Sequence, residues 1–255
     1  MKILGIIPAR FASTRFPGKP LIDLAGKSMI QRVYEQAKKA TSLSDVVVAT
    51  DDEQIFEAVK AFKGNVILTS SKHLSGTDRC AEVANKMTGY DAIINIQGDE
   101  PLIDPSQINL LANCFNDIST DLATLVKKIE TQEELFNYNT PKVIINKNFD
   151  AIYFSRQVIP YLKNIEPKDY LNNHKFYKHI GIYGYRTSTL GIISSMEIGD
   201  LEKSEMLEQL RWIENGCKIK VAVTRNESLA IDVPEDIDRV LEAILAIDLE
   251  KKKQN

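Results

Sequence analysis

The sequence predicts an α/β protein with a mostly parallel central sheet and helices on both faces of that sheet. Short apolar runs such as residues 46–50 alternate with amphipathic stretches such as residues 28–40 along the 255-residue chain. Strands that are apolar on both sides are typical of parallel sheets covered by helices. The composition, with 44% apolar and 26% charged residues, is that of a globular protein with a sizeable core.

The first half of the chain contains four predicted strands, each followed by a helix. Strands are expected at residues 3–8, 46–50, 66–68 and 92–97, and helices at residues 28–40, 52–62, 77–87 and 105–115. Ser28 is predicted to cap the first of these helices, because a serine oxygen accepts a hydrogen bond from the backbone at a helix start.

The pattern becomes less regular after about residue 120. Short strands are predicted at residues 122–126, 143–145, 151–154 and 180–185, followed by a helix at 205–215, a strand at 219–223 and a helix at 234–248. Residues 251–255 are expected to form a frayed, solvated tail. We therefore predict one α/β domain over residues 1–255, with an inserted sub-region at about residues 120–185.

Charge and cysteine content exclude several classes of protein. The chain has 35 acidic and 32 basic residues, so its net charge of −3 disfavours general binding to nucleic acids or anionic membranes. Three widely spaced cysteines without a C-x-x-C pattern argue against a disulfide framework and a zinc ribbon. No apolar segment approaches the ~20 residues of a membrane span, and the apolar N-terminal run is short for a signal peptide. We expect a cytoplasmic protein.

A loop rich in cations follows the first strand. Residues 8–20 include Arg10, Arg15 and Lys19, together with the hydroxyl groups of Ser13 and Thr14. Ligands of open α/β sheets bind at the carboxyl ends of the strands, and guanidinium and ammonium groups pair with polyphosphates. The loop is therefore a candidate phosphate site, and the alternative is a solvated loop. It matches neither the dinucleotide nor the Walker glycine pattern, which disfavours a dehydrogenase.

Two aspartates are candidate metal ligands. Asp99 follows the fourth predicted strand next to Gly98, and a carboxylate at this position can bind Mg²⁺ together with substrate phosphates and water. Asp232 follows an apolar stretch far along the chain and precedes a helix start with Pro234. Taken alone, each has an alternative role as a turn or helix-cap residue. Together they would form a two-carboxylate metal site.

Two further stretches are candidates for ligand binding. Residues 75–79 open a predicted helix and can offer backbone groups to a ligand, although spacing alone favours a simple capped helix start. On a strand, His179, Gly181, Tyr183 and Tyr185 share one face, which is either a packed aromatic face or one wall of a polar pocket.

Eight segments of the chain together resemble the 3-deoxy-manno-octulosonate cytidylyltransferase family. They are residues 7–21, 48–51, 75–79, 97–101, 153–156, 179–186, 205–211 and 232–236. The segments occur in order along nearly the whole chain. The first is shared loosely with other sugar nucleotidyltransferases, whereas 153–156, 179–186 and 205–211 are far more specific.

The resemblance implies the fold of nucleotide-diphospho-sugar transferases. It also implies a reaction in which CTP and 3-deoxy-manno-octulosonate (Kdo), an eight-carbon acidic sugar, give CMP-Kdo and pyrophosphate with Mg²⁺. The product would serve lipopolysaccharide biosynthesis. The family is commonly homodimeric, so the region near 120–185 is expected to contribute to a dimer interface.

The resemblance also assigns roles to individual residues. Those expected to hold the triphosphate are Arg10, Arg15 and Lys19. Those expected to line the cytidine site are Ala9, Ser75, Gly76 and Arg79. Asp99 and Asp232 are expected to bind Mg²⁺ and, with Arg10 and Lys19, to be catalytic. Those expected to hold the sugar acid are Gln97, Arg156, His179, Tyr183, Glu208 and Gln209.

The residues leave two other functions open. A cytidylyltransferase for another acidic sugar, such as a sialic acid, would share the phosphate loop and differ at the sugar-binding residues. A nucleotide-binding regulatory module without catalysis would keep the cationic loop but would not need both Asp99 and Asp232.

Overall fold

The computed structural model describes residues 1–12, 16–227 and 229–254, with side chains described up to residue 249. The chain divides into two compact units: the first comprises Met1–Asn109 and Ser228–Asn255, and the second comprises Leu110–Glu227. The sub-region predicted at about residues 120–185 lies within the second unit. The description of the whole chain as one domain stays a prediction.

The first unit contains a parallel sheet. Its strands are β1 (Ile3–Ala9), β2 (Asp45–Thr50), β3 (Val66–Leu68) and β4 (Ala92–Asn95). Their order is β3–β2–β1–β4, and each of these pairings is parallel. The carboxyl ends of the four strands therefore lie at the same edge of the sheet, where ligands of such sheets bind.

Four helices follow these strands, as the sequence predicts. They are α1 (Met29–Ala37), α2 (Glu53–Ala61), α3 (Gly76–Lys86) and α4 (Pro105–Asn113), which crosses the boundary between the units. The predicted cap of α1 is confirmed, since Oγ of Ser28 accepts a hydrogen bond from the backbone N–H of Gln31 at 3.3 Å. Asp52 caps α2 in the same way, with the N–H of Ile55 at 3.0 Å.

The second unit contains a mixed sheet. Its strands are β5 (Leu122–Lys128), β6 (Lys142–Ile145), β7 (Ala151–Ser155), β8 (Tyr177–Arg186) and β9 (Ile219–Thr224). Within this unit the order is β9–β5–β8–β6–β7; β5 and β9 are parallel and the other pairs are antiparallel. Each strand covers a predicted one. The predicted α/β class with a mostly parallel sheet is confirmed.

The helices of the second unit correct one prediction. They are α5 (Gln132–Phe136), α6 (Tyr170–Asn173), α7 (Thr187–Ile193), α8 (Asp200–Glu205) and α9 (Gln209–Glu214). The single helix predicted at 205–215 is wrong, because Met206 has a left-handed backbone with φ of 53°. Such a residue ends a helix. Consequently α8 stops at Glu205, and the next helix begins only at Gln209.

The last helix, α10 (Asp236–Gln254), belongs to the first unit. The frayed tail predicted at residues 251–255 is wrong as far as Gln254, because the helix continues to that residue. The helix packs on a buried apolar cluster of Leu24, Met29, Ile231, Val240 and Ile244. None of the helices in the described part of the chain has the length and apolar character needed to cross a bilayer.

Candidate active site

A cavity of about 400 Å³ opens at the carboxyl ends of β1 and β4. Among the residues that line it are Ala9, Arg10, Lys19, Gly76, Gln97 and Asp99. Gly98 allows the two loops to approach each other, since a Cβ atom there would lie 2.6 Å from the carbonyl oxygen of Pro8. The structure thus brings together residues from three of the segments that the sequence singled out.

Lys19 connects the two acidic segments of the first unit. Its Nζ donates hydrogen bonds to Oδ2 of Asp99 at 2.8 Å and to the carbonyl of Ile231 at 2.9 Å. The backbone N–H of Ile231 in turn donates to the carbonyl of Asp99 at 3.0 Å. Asp232 therefore follows directly after a residue that is bonded to Asp99 and Lys19, so the two distant aspartates belong to neighbouring segments.

The carboxylate of Asp236, the first residue of α10, accepts hydrogen bonds from the backbone of the segment that precedes this helix. Its Oδ2 accepts the backbone N–H groups of Asp232 at 2.8 Å and Val233 at 3.1 Å. Burial alone would raise the pKa of Asp236, but these two backbone donors hold it below its usual value. Asp236 ends the segment 232–236 that carries part of the resemblance, but no role was predicted for it. Its position four residues after Asp232, at a helix start, is the signal that could have found it.

Two guanidinium groups of the first unit are close enough to interact, and one of them, that of Arg10, lines the cavity. Arg79, on α3, is fully buried; it donates to Oγ1 of Thr69 and lies 3.4 Å from Oδ2 of Asp51. Nη2 of Arg10 is also buried and has no hydrogen-bond partner among the described residues. Burial and the nearby Arg79 lower the pKa of Arg10, although Asp51 and Asp78 oppose the shift. Such an incompletely compensated cationic region favours the binding of an anion.

The start of α3 is a capped helix start that also reaches the cavity. Oγ of Ser75 accepts the N–H of Asp78 at 3.1 Å, and Oδ2 of Asp78 accepts the N–H of Ser75 at 3.1 Å, which is a capping box. The next residue, Gly76, lines the cavity. Residues 75–79 therefore have the structural role that spacing favoured, and their glycine also faces the candidate site. Of the cationic loop, Ser13, Thr14 and Arg15 lie outside the described residues.

Arg156, in the second unit, holds the turn between α8 and α9. Its Nε donates to the carbonyl of Glu205 at 2.7 Å, Nη1 to that of Tyr138 at 3.1 Å and Nη2 to that of Met206 at 3.4 Å. The carboxylate of Glu205 accepts the backbone N–H of Arg156 at 2.9 Å and the hydroxyl of Ser155 at 2.6 Å. One N–H on each terminal nitrogen is not used by these bonds, so Arg156 retains two donors for a carboxylate.

His179 and Tyr183 belong to an aromatic cluster on β8. Their ring centroids are 5.1 Å apart; the Tyr183 ring packs edge-on against Trp212 at 5.1 Å and stacks with Tyr185 at 6.2 Å. Burial lowers the pKa of His179 to about 3, so its imidazole is neutral at neutral pH. Burial, with Tyr185 and Glu208, raises the pKa of Tyr183 well above its ordinary value. Both side chains are therefore uncharged hydrogen-bonding groups.

Three buried polar atoms of residues on β8 and α9 have no hydrogen-bond partner within the described part of the chain. They are the hydroxyl of Tyr183, Nε2 of Gln209 and Nε1 of Trp212. Buried polar groups are normally hydrogen-bonded, so a group of three points to a polar ligand. Glu208 precedes Gln209 at the start of α9. Five of the six expected sugar-binding residues thus lie in the second unit, while Gln97 lies in the first.

The chain matches the family model described as cytidylyltransferase over residues 4–219. A 3-deoxy-manno-octulosonate cytidylyltransferase of Parabacteroides distasonis is 55% identical over 246 residues, which cover 94% of this chain and 97% of that protein. One of Bacteroides thetaiotaomicron is 55% identical over 241 residues, covering 93% and 96%. A solved CMP:2-keto-3-deoxy-manno-octonic acid synthetase complexed with CTP superposes with a TM-score of 0.89 at 40% identity, covering 97% of this chain and 100% of that one.

The fold and the family match define this protein as a nucleotidyltransferase, and the predicted enzyme class is confirmed. With relatives of this identity matched over nearly their whole length, the chain belongs to the 3-deoxy-manno-octulosonate cytidylyltransferase family. The family resemblance drawn from the sequence is therefore confirmed.

Proposed function

We propose that this protein transfers the cytidylyl group of CTP to Kdo, giving CMP-Kdo and pyrophosphate in a Mg²⁺-dependent reaction. The names of its relatives and the CTP complex of a structural neighbour support this activity. The observation that carries it is the contact of Lys19 with both Asp99 and the residue before Asp232. This contact joins a cation and two acidic segments at the carboxyl edge of a parallel sheet, where a metal-bound nucleotide fits.

The nucleotide is proposed to occupy the cavity of the first unit. Arg10 and Lys19, with Arg15 of the same loop, neutralise the phosphates and stabilise the leaving pyrophosphate. Ala9, Ser75 and Gly76 line the cytidine site from β1 and the start of α3. Arg79 is fully buried, so its contribution is a positive potential near the site that favours the anion.

The donor set fits a magnesium ion. Asp99 and Asp232 would supply two carboxylates, and the described residues contain no group of three or more potential protein ligands. Magnesium usually takes one or two carboxylates and completes its shell with phosphate oxygens and water, so two aspartates suit it. When bound, the ion supplies charge stabilisation at the α-phosphoryl oxygens and lowers the pKa of the attacking hydroxyl.

The sugar acid is proposed to contact the six residues that the resemblance assigns to it. Gln97 belongs to the first unit, and Arg156, His179, Tyr183, Glu208 and Gln209 belong to the second. The two remaining donors of Arg156 suit the sugar carboxylate. The buried donors of Tyr183 and Gln209 suit its hydroxyl groups, and a buried group left unpaired by a wrong sugar costs ~1–3 kcal/mol. This cost would give selectivity between acidic sugars.

The reaction needs no side-chain nucleophile. The anomeric oxygen of Kdo forms a bond to the α-phosphorus of CTP, and the bond from that phosphorus to the oxygen bridging to the β-phosphate breaks. Pyrophosphate leaves with the electron pair, and the hydroxyl proton passes to water. Positioning and electrostatic stabilisation by Arg10 and Lys19 can account for most of the catalysis, as in other phosphoryl transfers.

We also propose that the protein acts as a cytoplasmic homodimer that supplies lipopolysaccharide biosynthesis. The second unit exposes large apolar side chains around β6 and β7. They are Tyr138, Phe149, Ile152 and Tyr161, which are 49–77% exposed. Such a surface suits a partner subunit. Three widely spaced cysteines without a C-x-x-C pattern favour a reducing compartment. Light scattering after gel filtration tests the dimer.

The decisive experiment is to incubate the protein with CTP, Mg²⁺ and Kdo and to measure CMP-Kdo and pyrophosphate. Parallel reactions contain N-acetylneuraminate in place of Kdo, or EDTA in place of Mg²⁺. We expect product with Kdo alone among the two sugars, and none with EDTA. Product with N-acetylneuraminate but not with Kdo would assign another acidic sugar. Binding of CTP without turnover of either sugar would favour a regulatory module.

A further inference from the structure

Strand β8 contains an irregularity that brings its two candidate sugar-binding residues together. In its pairing with β5, Thr124 lies opposite Tyr183, whereas the next residue, Leu125, lies opposite Ile180. Gly181 and Ile182 are therefore extra residues that β5 does not match, which is a β-bulge of two residues. On a regular strand, the Cα atoms of residues four apart are separated by about 13 Å. Here the ring centroids of His179 and Tyr183 are 5.1 Å apart.

The hydroxyl of Thr124 fills this bulge. It is fully buried, and its Oγ1 lies 2.8 Å from the carbonyl oxygen of Ile182 and 3.3 Å from that of Ile180. These are the backbone groups of the irregular segment, whose ladder bonds a bulge disrupts. The same oxygen lies 2.9 Å from Nε2 of His179. One side chain thus contacts the backbone on both sides of the bulge and the imidazole beside it.

The hydrogen-bond partners of the Thr124 hydroxyl determine which nitrogen of the His179 ring carries the proton. A carbonyl oxygen only accepts hydrogen bonds, so the single proton of the Thr124 hydroxyl points to the backbone, to Ile182 at the shorter distance. Towards His179, the hydroxyl oxygen must then accept. A neutral imidazole with its proton on Nε2 has its lone pair on Nδ1. Nδ1 is consequently a hydrogen-bond acceptor.

We propose that Thr124 is a positioning residue of the sugar site: its hydroxyl holds the β8 bulge and fixes His179 as the Nε2–H tautomer. The ring then offers Nδ1 as an acceptor for a hydroxyl group of the sugar, while the hydroxyl of Tyr183, whose ring packs against that of His179, offers a donor. The proposal rests on the proposed function for its ligand. The tautomer and the bulge are properties of the protein itself.

The neighbours of His179 support a fixed ring. Phe154 packs edge-on against it with centroids 5.3 Å apart, and Tyr183 packs on it from the other end of the bulge. Both contacts are apolar, so the only side-chain hydrogen bond of the imidazole within the described part of the chain is the one to Thr124. Removal of the Thr124 hydroxyl therefore removes the polar group that selects the tautomer.

The test replaces Thr124 by valine, which keeps the shape and loses the hydroxyl, and by serine, which keeps the hydroxyl. Thr224→Val on β9 is the matched control, since this threonine is also buried on a strand of the second unit. Two-dimensional ¹H–¹⁵N spectra of protein labelled with ¹⁵N-histidine report the tautomer directly. The chain has only three histidines, and a His174→Gln spectrum assists the assignment.

We expect His179 to be the Nε2–H tautomer in the unmodified protein, in Thr124→Ser and in Thr224→Val, and to lose this tautomer preference in Thr124→Val. In steady-state assays, Thr124→Val should raise KM for Kdo about ten-fold, the effect of one hydrogen bond to a buried polar group, with KM for CTP unchanged. Thr124→Ser should restore KM for Kdo.

An Nδ1–H tautomer in the unmodified protein, or an unchanged tautomer and an unchanged KM in Thr124→Val, would overturn the proposal. If Thr124→Val does not fold, Thr124→Ser and the tautomer of the unmodified protein still decide it. Failure of the unmodified protein to use Kdo would refute the proposed function and not the tautomer, which the spectra measure without substrate.

Discussion

The ammonium group of Lys19 lies 2.8 Å from Oδ2 of Asp99, and the same ammonium donates to the carbonyl that precedes Asp232. A single cation therefore holds two acidic segments together that are more than a hundred residues apart in the sequence. The side chain of Lys19 is 13% exposed and that of Asp99 is 30% exposed, so this pair is only partly screened by water. Loss of either charge should disturb the proposed metal and phosphate site.

Asp99→Asn tests the metal ligand, because it keeps the size of the side chain and removes one charge. We expect pyrophosphate release at saturating CTP and Mg²⁺ to fall by about 100-fold or more, since several kcal/mol of charge stabilisation are lost. Asp238→Asn, an exposed position on α10, is the control and should keep the rate of the unmodified protein. A near-normal rate for a folded Asp99→Asn protein would remove Asp99 from the site.

Arg10→Met separates stability from nucleotide binding. Because Arg10 is partly buried and close to Arg79, its charge is unfavourable in the empty cavity, so the variant should have an equal or higher Tm without CTP. Bound CTP stabilises the unmodified protein by about 2.7 kcal/mol at a concentration 100 times Kd. We expect this stabilisation to be strongly reduced in Arg10→Met, as measured by thermal unfolding with and without CTP.

Arg32→Met is the control for this experiment, because it should change the stability of the protein without changing its binding of CTP. Its guanidinium donates to the carbonyl groups of Leu24 at 2.7 Å and Ala25 at 3.0 Å, so its loss should lower Tm and leave the CTP-induced shift intact. A full CTP shift in Arg10→Met would exclude Arg10 from the nucleotide site.

Lys142 is a buried lysine whose ammonium group donates a hydrogen bond to the backbone of Arg156. Its ammonium donates to the carbonyl groups of Asn137 at 2.9 Å, Thr140 at 2.9 Å and Arg156 at 2.7 Å. Burial and the nearby Arg156 lower the pKa of this lysine, although Glu205 opposes the shift. Lys142→Met removes three hydrogen bonds and leaves their acceptors buried, so we expect a loss of about 2 kcal/mol in the free energy of unfolding.

The same variant should weaken the sugar site through the backbone of Arg156. We expect a raised KM for Kdo with an unchanged KM for CTP, measured beside Lys147→Met, an exposed lysine on the same segment. Equal KM values for Kdo in Lys142→Met and Lys147→Met would show that Lys142 serves stability alone.

The sequence was sufficient for the strands, for the helices of the first unit and for the segments of the candidate site, but not for the short helices α5, α6 and α7. Strand positions and those of the longer helices follow from apolar periodicity, and the cap predicted at Ser28 follows from its side-chain chemistry. Asp99 could be placed near the cationic loop because the carboxyl ends of parallel strands share an edge. The contact of Lys19 with both acidic segments depends on the path of the chain between residues 99 and 231, which no local pattern contains.

Two backbone irregularities of the second unit, the bulge in β8 and the turn at Met206, could not be predicted from the pattern of apolar and polar residues. A bulge of two residues leaves the alternation of faces along β8 unchanged, so His179 and Tyr183 share a face with or without it. Met206 is not a glycine or an asparagine, so its left-handed backbone could not be predicted and the helix at 205–215 appeared continuous. Two carbonyl groups that accept hydrogen bonds from Arg156, those of Glu205 and Met206, belong to that turn, so these contacts could not be predicted either.

The half-buried imidazole of His179 should make the protein sensitive to acid. The ordinary pKa of 6.5 applies in the unfolded chain, whereas burial lowers it to about 3 in the folded protein. Between these values the unfolded chain binds a proton at this residue and the folded protein does not. Acid therefore favours unfolding, and the stability linked to His179 is complete above about pH 6.5 and is lost as pH falls towards about 3.

His179→Gln should remove this contribution. Relative to the variant, the unmodified protein should lose up to about 1.4 kcal/mol of unfolding free energy for each pH unit between 6 and 4, as measured by urea titration. His174→Gln, at an exposed histidine of the same unit, should keep the slope of the unmodified protein. If the unfolding free energies of His179→Gln and the unmodified protein change in parallel with pH, the pKa of His179 is the same in the folded protein and in the unfolded chain, and the acid sensitivity does not come from this residue.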